Sequence, residues 1–301
     1  MSLIVAKFGG TSVANIRRIE RCIPIIKKLT QNYRVVIVVS AMAGVTNRLQ
    51  HYVDDFKEST YHHALVLSSG EQIAAGLMAL ALEKQGIPSQ TFLGWQVPII
   101  TNDTPTDASI VDIPISEIQK TLDNTIIPIV AGFQGITKDK RITTLGRGGS
   151  DTTAVYLAHY LKAKECQIYS DVDGVYSSDP NIISSAKRLD SMTYNEMFLL
   201  SRYGAKVLQV DAAQKAMEKQ VNLRLLSSFI ESQGTLLTSD IKDSARFASL
   251  CVKDHEAFII GKNITHLKIP DFQNNIISND VIKIDTRLED PKKVHDILLK
   301  I

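Results

Sequence analysis

Cysteine is scarce in this chain of 301 residues. Cys22, Cys166 and Cys251 are an odd number with no C-x-x-C pair, so neither a disulfide framework nor a zinc cluster is indicated. An excess of one charge is missing too. The 34 Lys and Arg against 32 Asp and Glu leave a net charge of +2, which is no footprint for nucleic acid or an anionic membrane. The longest aliphatic run, residues 35–39, is far too short to span a bilayer. Lys7 and two glycines interrupt any secretory apolar segment near the start. The expectation is a soluble, cytoplasmic protein with no nucleic-acid or membrane partner. No G-x-x-x-x-G-K-[ST] occurs, and no G-x-G-x-x-G opens a helix after a strand, so the P-loop and the dinucleotide fingerprint are both excluded. No internal repeat or low-complexity tract is evident. At this length, one large domain plus a small one is the natural expectation.

What is present is glycine turns set before helices. Residues 146–153 read Gly-Arg-Gly-Gly-Ser-Asp-Thr-Thr, ahead of the apolar-periodic Ala154, Val155, Leu157, Ala158 and Leu161. Glycine lets the backbone approach a ligand and turn its N–H groups outward. A helix start adds free N–H groups and a positive dipole end. Arg147 there is suited to grip a carboxylate or phosphate through two parallel hydrogen bonds. The alternative is a plain connection with Ser150 or Asp151 as an N-cap. A second turn follows the apolar residues 3–6, as Lys7-Phe8-Gly9-Gly10-Thr11-Ser12, with a helix expected from about Val13. The Lys7 ammonium would project over the concavity that the glycine N–H groups line. Taken singly, this turn reads equally well as a tight connection with a solvated lysine.

Strand and helix patterns alternate. Apolar, β-branched segments at 3–6, 35–39, 91–93, 126–131, 168–169 and 223–226 suit a parallel sheet covered on both faces. A helix is expected over 69–85, with Ile73, Leu77, Leu80 and Ala81 at helical spacing and Gly86 as its stop. The expected fold is α/β, a three-layer αβα sandwich with a mainly parallel central sheet. Ligands in such sheets collect at the carboxyl ends of the strands, where Lys7, Ser40, Gly132 and Ser170 are expected to converge. Residues 39–47 place two hydroxyls, Ser40 and Thr46, around Gly44. Ser68-Ser69-Gly70-Glu71 sets a carboxylate at the expected helix start. Residues 170–176, Ser-Asp-Val-Asp-Gly-Val-Tyr, lack the spacing of a calcium loop. A nucleoside loop is the better chemical reading, with Tyr176 beside a base.

Together these segments resemble the aspartokinase family, of the amino-acid kinase fold. The matching runs are K-F-G-G-T-S from Lys7, V-S-A-M-A-G-V-T-N from Val39, S-G-E ending at Glu71 and A-G-F-Q-G from Ala131. T-L-G-R-G-G-S-D-T-T from Thr144, S-D-V-D-G-V-Y from Ser170 and G-A-K-V-L from Gly204 complete the set. The resemblance spans about residues 3–240 in order. The short gap between Thr46 and Glu71 looks like the compact class without a long helical insertion.

The resemblance implies transfer of the γ-phosphoryl of ATP to the β-carboxylate of L-aspartate, giving 4-phospho-L-aspartate, the first step of the aspartate-family biosynthetic route. It implies catalytic roles for Lys7, Asp151 and Lys206, with Asp151 orienting the lysines. Ser40, Thr46, Glu71, Arg147 and Ser150 would bind the amino acid, Arg147 taking its α-carboxylate and Glu71 its amino group. Lys7, Gly9, Gly10, Ser12, Ser170, Asp171, Tyr176, Lys206 and Val207 would bind the nucleotide, with Mg²⁺ held mainly by phosphates and no dedicated metal ligand. A homo-oligomer, most simply a dimer, is also implied. Two departures stand out. Asn181 replaces the family's arginine after Asp179-Pro180, which would weaken ATP binding. Gln209-Val210 replaces His-Pro, a change expected to lie farther from the chemistry and to alter a helix start. Residues 1–244 are expected to form the catalytic domain. Residues 245–301 are too few for the tandem ACT regulatory domains of relatives. They would form one reduced ACT-like module, a dimerisation arm or a truncated product, with strands around 258–260 and 281–284 and a helix over 291–300. Two other readings stay open: a kinase for another small carboxylic acid, and a non-catalytic subunit that binds aspartate or nucleotide.

Overall fold

The computed structural model describes residues 1–56, 60–204, 208–239, 246–266 and 274–300. The chain opens with β1 (Leu3–Phe8), α1 (Ile16–Thr30), β2 (Arg34–Val39), α2 (Val45–Val53), α3 (Tyr61–Glu83) and β3 (Ser89–Phe92). β4 (Ile100–Thr101), β5 (Ile110–Asp112), α4 (Ser116–Asp123), β6 (Ile127–Ala131), β7 (Gln134–Ile136) and β8 (Ile142–Thr144) follow. Next come α5 (Gly149–Tyr160), β9 (Glu165–Ser170), β10 (Ser191–Thr193), α6 (Tyr194–Arg202), α7 (Val210–Lys219), β11 (Leu223–Ser227) and β12 (Thr235–Thr238). The C-terminal part holds β13 (Arg246–Lys253), β14 (Glu256–Lys262), β15 (Asn274–Ser278), β16 (Val281–Asp285) and α8 (Pro291–Leu298).

The central sheet runs β10-β12-β11-β9-β1-β2-β6-β3, and only the β11–β12 pairing is antiparallel. Its strands are apolar at both parities. Ile4, Ala6 and Phe8 of β1 face one core layer and Val5 faces the other, as Val35, Ile37 and Val39 of β2 oppose Val36 and Val38. Such strands are stable only with helices over both faces. Ile19, Cys22, Ile23 and Ile26 of α1, three and four residues apart, pack on one face beside Ala74, Ala75 and Met78 of α3. Ala154, Val155 and Leu157 of α5, with Ala212, Ala213 and Ala216 of α7, cover the other. The expected three-layer sandwich is therefore present, and all six expected strands are found with shifted ends. Lys7 shares its parity with Val5, so the strand itself aims the ammonium at the α5 side.

The helix expected over 69–85 needs correction. α3 begins eight residues earlier, at Tyr61, because Thr60 and His63 form a reciprocal capping box. Glu71 consequently sits in mid-helix, not at a helix start. The buried face is also different: Ala64, Leu67, Glu71, Ala74, Ala75, Met78 and Leu82 point inward, while Ile73 and Leu80 are 56% and 62% exposed. Small residues let α3 close on its neighbours, which turns the bulky stripe outward. A Cβ at Gly70 would lie 2.9 Å from the Ala41 Cβ. α3 is long and apolar enough to cross a membrane by length and composition, yet half of its most apolar stretch is buried in this fold. α1 starts at Ile16, later than expected, because Asn15 caps the Arg18 N–H, and Ser12 and Val13 turn onto the Gly9 carbonyl.

Two further sheets complete the molecule. β5-β4-β7-β8 is a small mixed sheet, and its last strand leads into the 146–148 turn. β13-β14-β16-β15 is antiparallel throughout. Its Leu250, Ile259, Ile282 and Ile284 form a core with Val294 and Leu298 of α8, joined by Ile183 from the preceding part of the chain. The strands expected around 258–260 and 281–284, and the helix over 291–300, are present as β14, β16 and α8.

Candidate active site

A cleft of about 610 Å³ opens at the carboxyl ends of β1 and β2. Lys7, Gly10, Ser40, Thr46, Glu71, Arg147, Ser150 and Asp151 all line it. Sequence-distant segments supply them: β1, the β2–α2 connection, mid-α3, and the first turn of α5. The 146–149 segment reaches this position through left-handed backbone at Gly146 and Gly148, with φ of 72° and 75°. An L side chain is strained there. α5 begins at Gly149 with Gly148 as N-cap and no side-chain cap. Ser150 and Asp151 are thus not ordinary N-caps; they occupy the first helical turn facing the cleft. Arg147 stands exposed at the rim and forms no ion pair among the described residues.

Lys7 Nζ lies 2.5 Å from Asp151 Oδ1. Both groups are nearly buried, at 7% and 8% exposure, so the pair is poorly screened and holds the ammonium in one place. Glu71 lies deeper. Its Oε1 accepts the Ala41 N–H at 3.0 Å, and its Oε2 is buried with no partner among the described residues. Burial pushes its pKa up to about 7, against the opposing pull of the Ala41 N–H and the Lys7 charge. A buried carboxyl with one oxygen unpaired is ready for a cationic partner from outside the protein.

The first glycine turn differs from its sequence reading. Gly9 donates its N–H to the Tyr169 carbonyl at 2.9 Å and has no N–H left for a ligand. Gly10 alone of the two lines the cleft. A Cβ there would lie 2.9 Å from the Ala41 carbonyl oxygen, so glycine lets this turn meet the β2–α2 connection. Ser12 is buried; its hydroxyl donates to the Tyr169 carbonyl and accepts from Ser228. It braces the turn against β9.

The 170–181 loop lies apart, around a second cavity of about 600 Å³ lined by Asp171, Tyr176, Pro180 and Asn181 on one side and residues of β13 on the other. Tyr176 is half-buried, with its hydroxyl donating to Asp173 Oδ1 at 3.0 Å. Asp171 is exposed at the mouth. Ser170 hydrogen-bonds through Oγ to the Val172 backbone and does not line this cavity. Asn181 turns back on Asp179. Lys206 and Val207 lie outside the described residues. Gln209 is closer to the site than its sequence reading placed it: a Cβ on Gly148 would strike its Cγ at 2.6 Å, so it packs on the glycine turn. Phe133 also lines the cleft. Its left-handed backbone, φ 68°, is unusual for an aromatic residue, and only the run A-G-F-Q-G hinted at it. Among the described residues no three His, Cys, Asp or Glu side chains converge as a metal site.

The amino acid kinase family profile matches residues 2–227. The chain belongs to the amino acid kinase family. Within the family it is similar to the aspartokinase of Rickettsia bellii, 47% identical over 249 residues that cover 80% of this chain and 61% of the relative. The aspartokinase of Rickettsia prowazekii is 45% identical over 278 residues, covering 90% and 62%. The chain thus spans about three fifths of the length of these curated relatives. Among solved structures, Escherichia coli aspartokinase III in complex with aspartate and ADP superposes with a TM-score of 0.73 at 24% identity, covering 94% of this chain and 79% of that one. That likeness shows the fold. The amino acid kinase fold therefore places the Lys7–Asp151 pair, Glu71 and the α5 N-terminus around one cleft.

Proposed function

We propose that this chain carries an aspartate kinase activity, moving the γ-phosphoryl group of ATP to the β-carboxylate of L-aspartate. The observation that carries the reading is one cleft holding three complementary features. They are a fixed cation at Lys7 and, unpaired among the described residues, a buried carboxyl oxygen at Glu71 and the guanidinium of Arg147. A free α-amino acid offers the two groups that Glu71 and Arg147 lack. The names of the curated relatives, and the aspartate and ADP bound in the E. coli structure, support the same substrates.

In this reading Arg147 binds the α-carboxylate and Glu71 the ammonium, with Ser40, Thr46 and Ser150 completing the polar lining. The β-carboxylate, already ionised near neutral pH, attacks the γ-phosphorus. Its oxygen–phosphorus bond forms as the bond to the ADP oxygen breaks, and ADP leaves with the electron pair. No proton has to be removed, so Asp151 serves to orient Lys7 and not as a base. Lys7, the Gly10 backbone and the positive end of α5 stabilise charge on the migrating group, and Lys206 is assigned the same task. Asp171 and Tyr176 are assigned to the nucleoside, with Ser12 and Gly9 acting through the shape of the turn. Mg²⁺, held mainly by phosphates, would neutralise phosphate charge when bound.

We further infer a catalytic unit of residues 1–244 with a C-terminal unit of 245–301, in a cytoplasmic protein. The exposed Leu65, Ile73 and Leu80 of α3 support a homo-oligomer, most simply a dimer. The test measures ADP release by purified protein with aspartate, N-acetylglutamate, glutamate and uridylate, with a hydroxamate assay for acyl phosphate on the three carboxylate acceptors. Turnover with aspartate above the others is expected. Turnover only with another acceptor, or none with any, would sink the proposal.

A further inference from the structure

The 170–181 loop is gripped from behind by the C-terminal sheet. Ser178 pairs with Leu250 of β13 as a parallel bridge. The Leu250 N–H donates to the Ser177 carbonyl at 2.8 Å, and Ser178 Oγ returns to the Leu250 carbonyl at 2.8 Å. Ser249 Oγ donates to the carbonyl of Tyr176 itself at 3.0 Å. β13 therefore treats the loop as one more strand, and the same strand forms the far side of the 600 Å³ cavity.

A buried side-chain contact locks this arrangement. His295 of α8 is completely buried, with Nε2 at 2.9 Å from Ser177 Oγ and Nδ1 at 3.5 Å from Ser185 Oγ. Ser185 gives its only hydroxyl proton to Asp296 at 2.6 Å, so it can only accept from the imidazole. The proton consequently sits on Nδ1, and Nε2 accepts from the Ser177 hydroxyl. Ser177 Oγ in turn accepts the Lys187 N–H at 2.9 Å. Burial lowers the imidazole's pKa against the opposing pull of Asp296, and the hydrogen-bond pattern is that of a neutral ring. None of these groups reaches the Lys7–Asp151 cleft lining.

We infer that the C-terminal sheet is a working wall of the nucleotide pocket, with His295 as a positioning residue that holds Tyr176 through Ser177. The inference rests on the nucleotide reading of the 170–181 loop given above. Loss of the latch lets the loop leave β13 and costs ATP binding without touching the amino-acid site.

The experiment measures Mg·ATP affinity by calorimetry, and KM for ATP and for aspartate, in four variants of the full chain: His295→Leu, His295→Gln, Ser177→Ala and Tyr176→Ala. Losing a buried hydrogen bond of ordinary strength corresponds to about fivefold. His295→Leu and Ser177→Ala should weaken ATP by about that factor, with unchanged KM for aspartate and unchanged circular dichroism. His295→Gln keeps an acceptor near the Nε2 position and should restore ATP affinity to within about twofold of the parent. Ser177→Ala carries the test alone where His295→Leu fails to fold. If Tyr176→Ala weakens ATP while both latch variants leave it unchanged, or raise both KM values together, the positioning role is overturned. If Tyr176→Ala itself leaves ATP affinity intact, the nucleotide assignment of the loop has failed, and this inference with it.

Discussion

Glu71 offers the sharpest test of the site. Its carboxyl ionises at about 7 in the folded chain, against 4.5 for an unburied glutamate. The folded state thus binds the proton more tightly than the unfolded state. Stability from this group is full below about pH 4.5, falls as pH rises, and levels off above about pH 7. At roughly 1.4 kcal/mol per pH unit, a shift of this size corresponds to about 3 kcal/mol. Glu71→Gln keeps the shape and removes the titration. The variant should therefore match the parent at pH 4.5 and gain up to about 3 kcal/mol over it by pH 8, measured by urea unfolding across that range. Function should move the other way. An incoming ammonium pulls the carboxyl back toward ionisation, so aspartate binding releases a proton. The parent's KM for aspartate should rise as pH falls below 7, approaching tenfold per unit. Glu71→Gln should flatten that profile while raising KM by about tenfold or more, the scale of a lost charge-assisted bond. A stability difference independent of pH, or a flat KM profile in the parent, would refute the reasoning.

Three other perturbations probe different parts of the molecule. Arg147→Ala should raise KM for aspartate by about tenfold or more and leave ATP affinity nearly unchanged; the reverse pattern would move Arg147 to the nucleotide. Lys7→Ala should lower turnover by roughly 10²-fold, by analogy with removing one preorganised donor, and single-turnover kinetics near normal would place Lys7 outside the chemistry. Arg246 bonds Glu196 at 2.5 Å and 2.9 Å, and that carboxylate is only 1% exposed. Arg246→Ala strands it and should cost about 3 kcal/mol in urea unfolding; a cost below about 1 kcal/mol would show the pair to be dispensable.

Much of the site's inventory was readable in one dimension because its causes are local. Glycine enters left-handed backbone without a steric penalty, so Gly146 and Gly148 announced a turn around Arg147 without reference to any neighbour. Period-two alternation put Lys7 opposite the Phe8 face of β1, and two-sided apolar strands required helices on both sides. Other features depended on what folds against what. Glu71 reads as a helix start until the Thr60–His63 cap moves that start upstream, and Ile73 and Leu80 lie at the surface because the small-residue face of α3 is the one that packs inward. Gly9 and Gly10 are identical in sequence terms, yet Tyr169 on the neighbouring strand consumes the N–H of only one. Ser12 carries a hydroxyl in a glycine turn but spends it on β9. The strand that closes over Tyr176 comes from about seventy residues downstream, and His295 from farther still. Helix caps, turns and strand faces follow from residues within a few positions of one another. Hydrogen-bond partners across the fold follow from which surfaces meet, and no local pattern encodes that meeting.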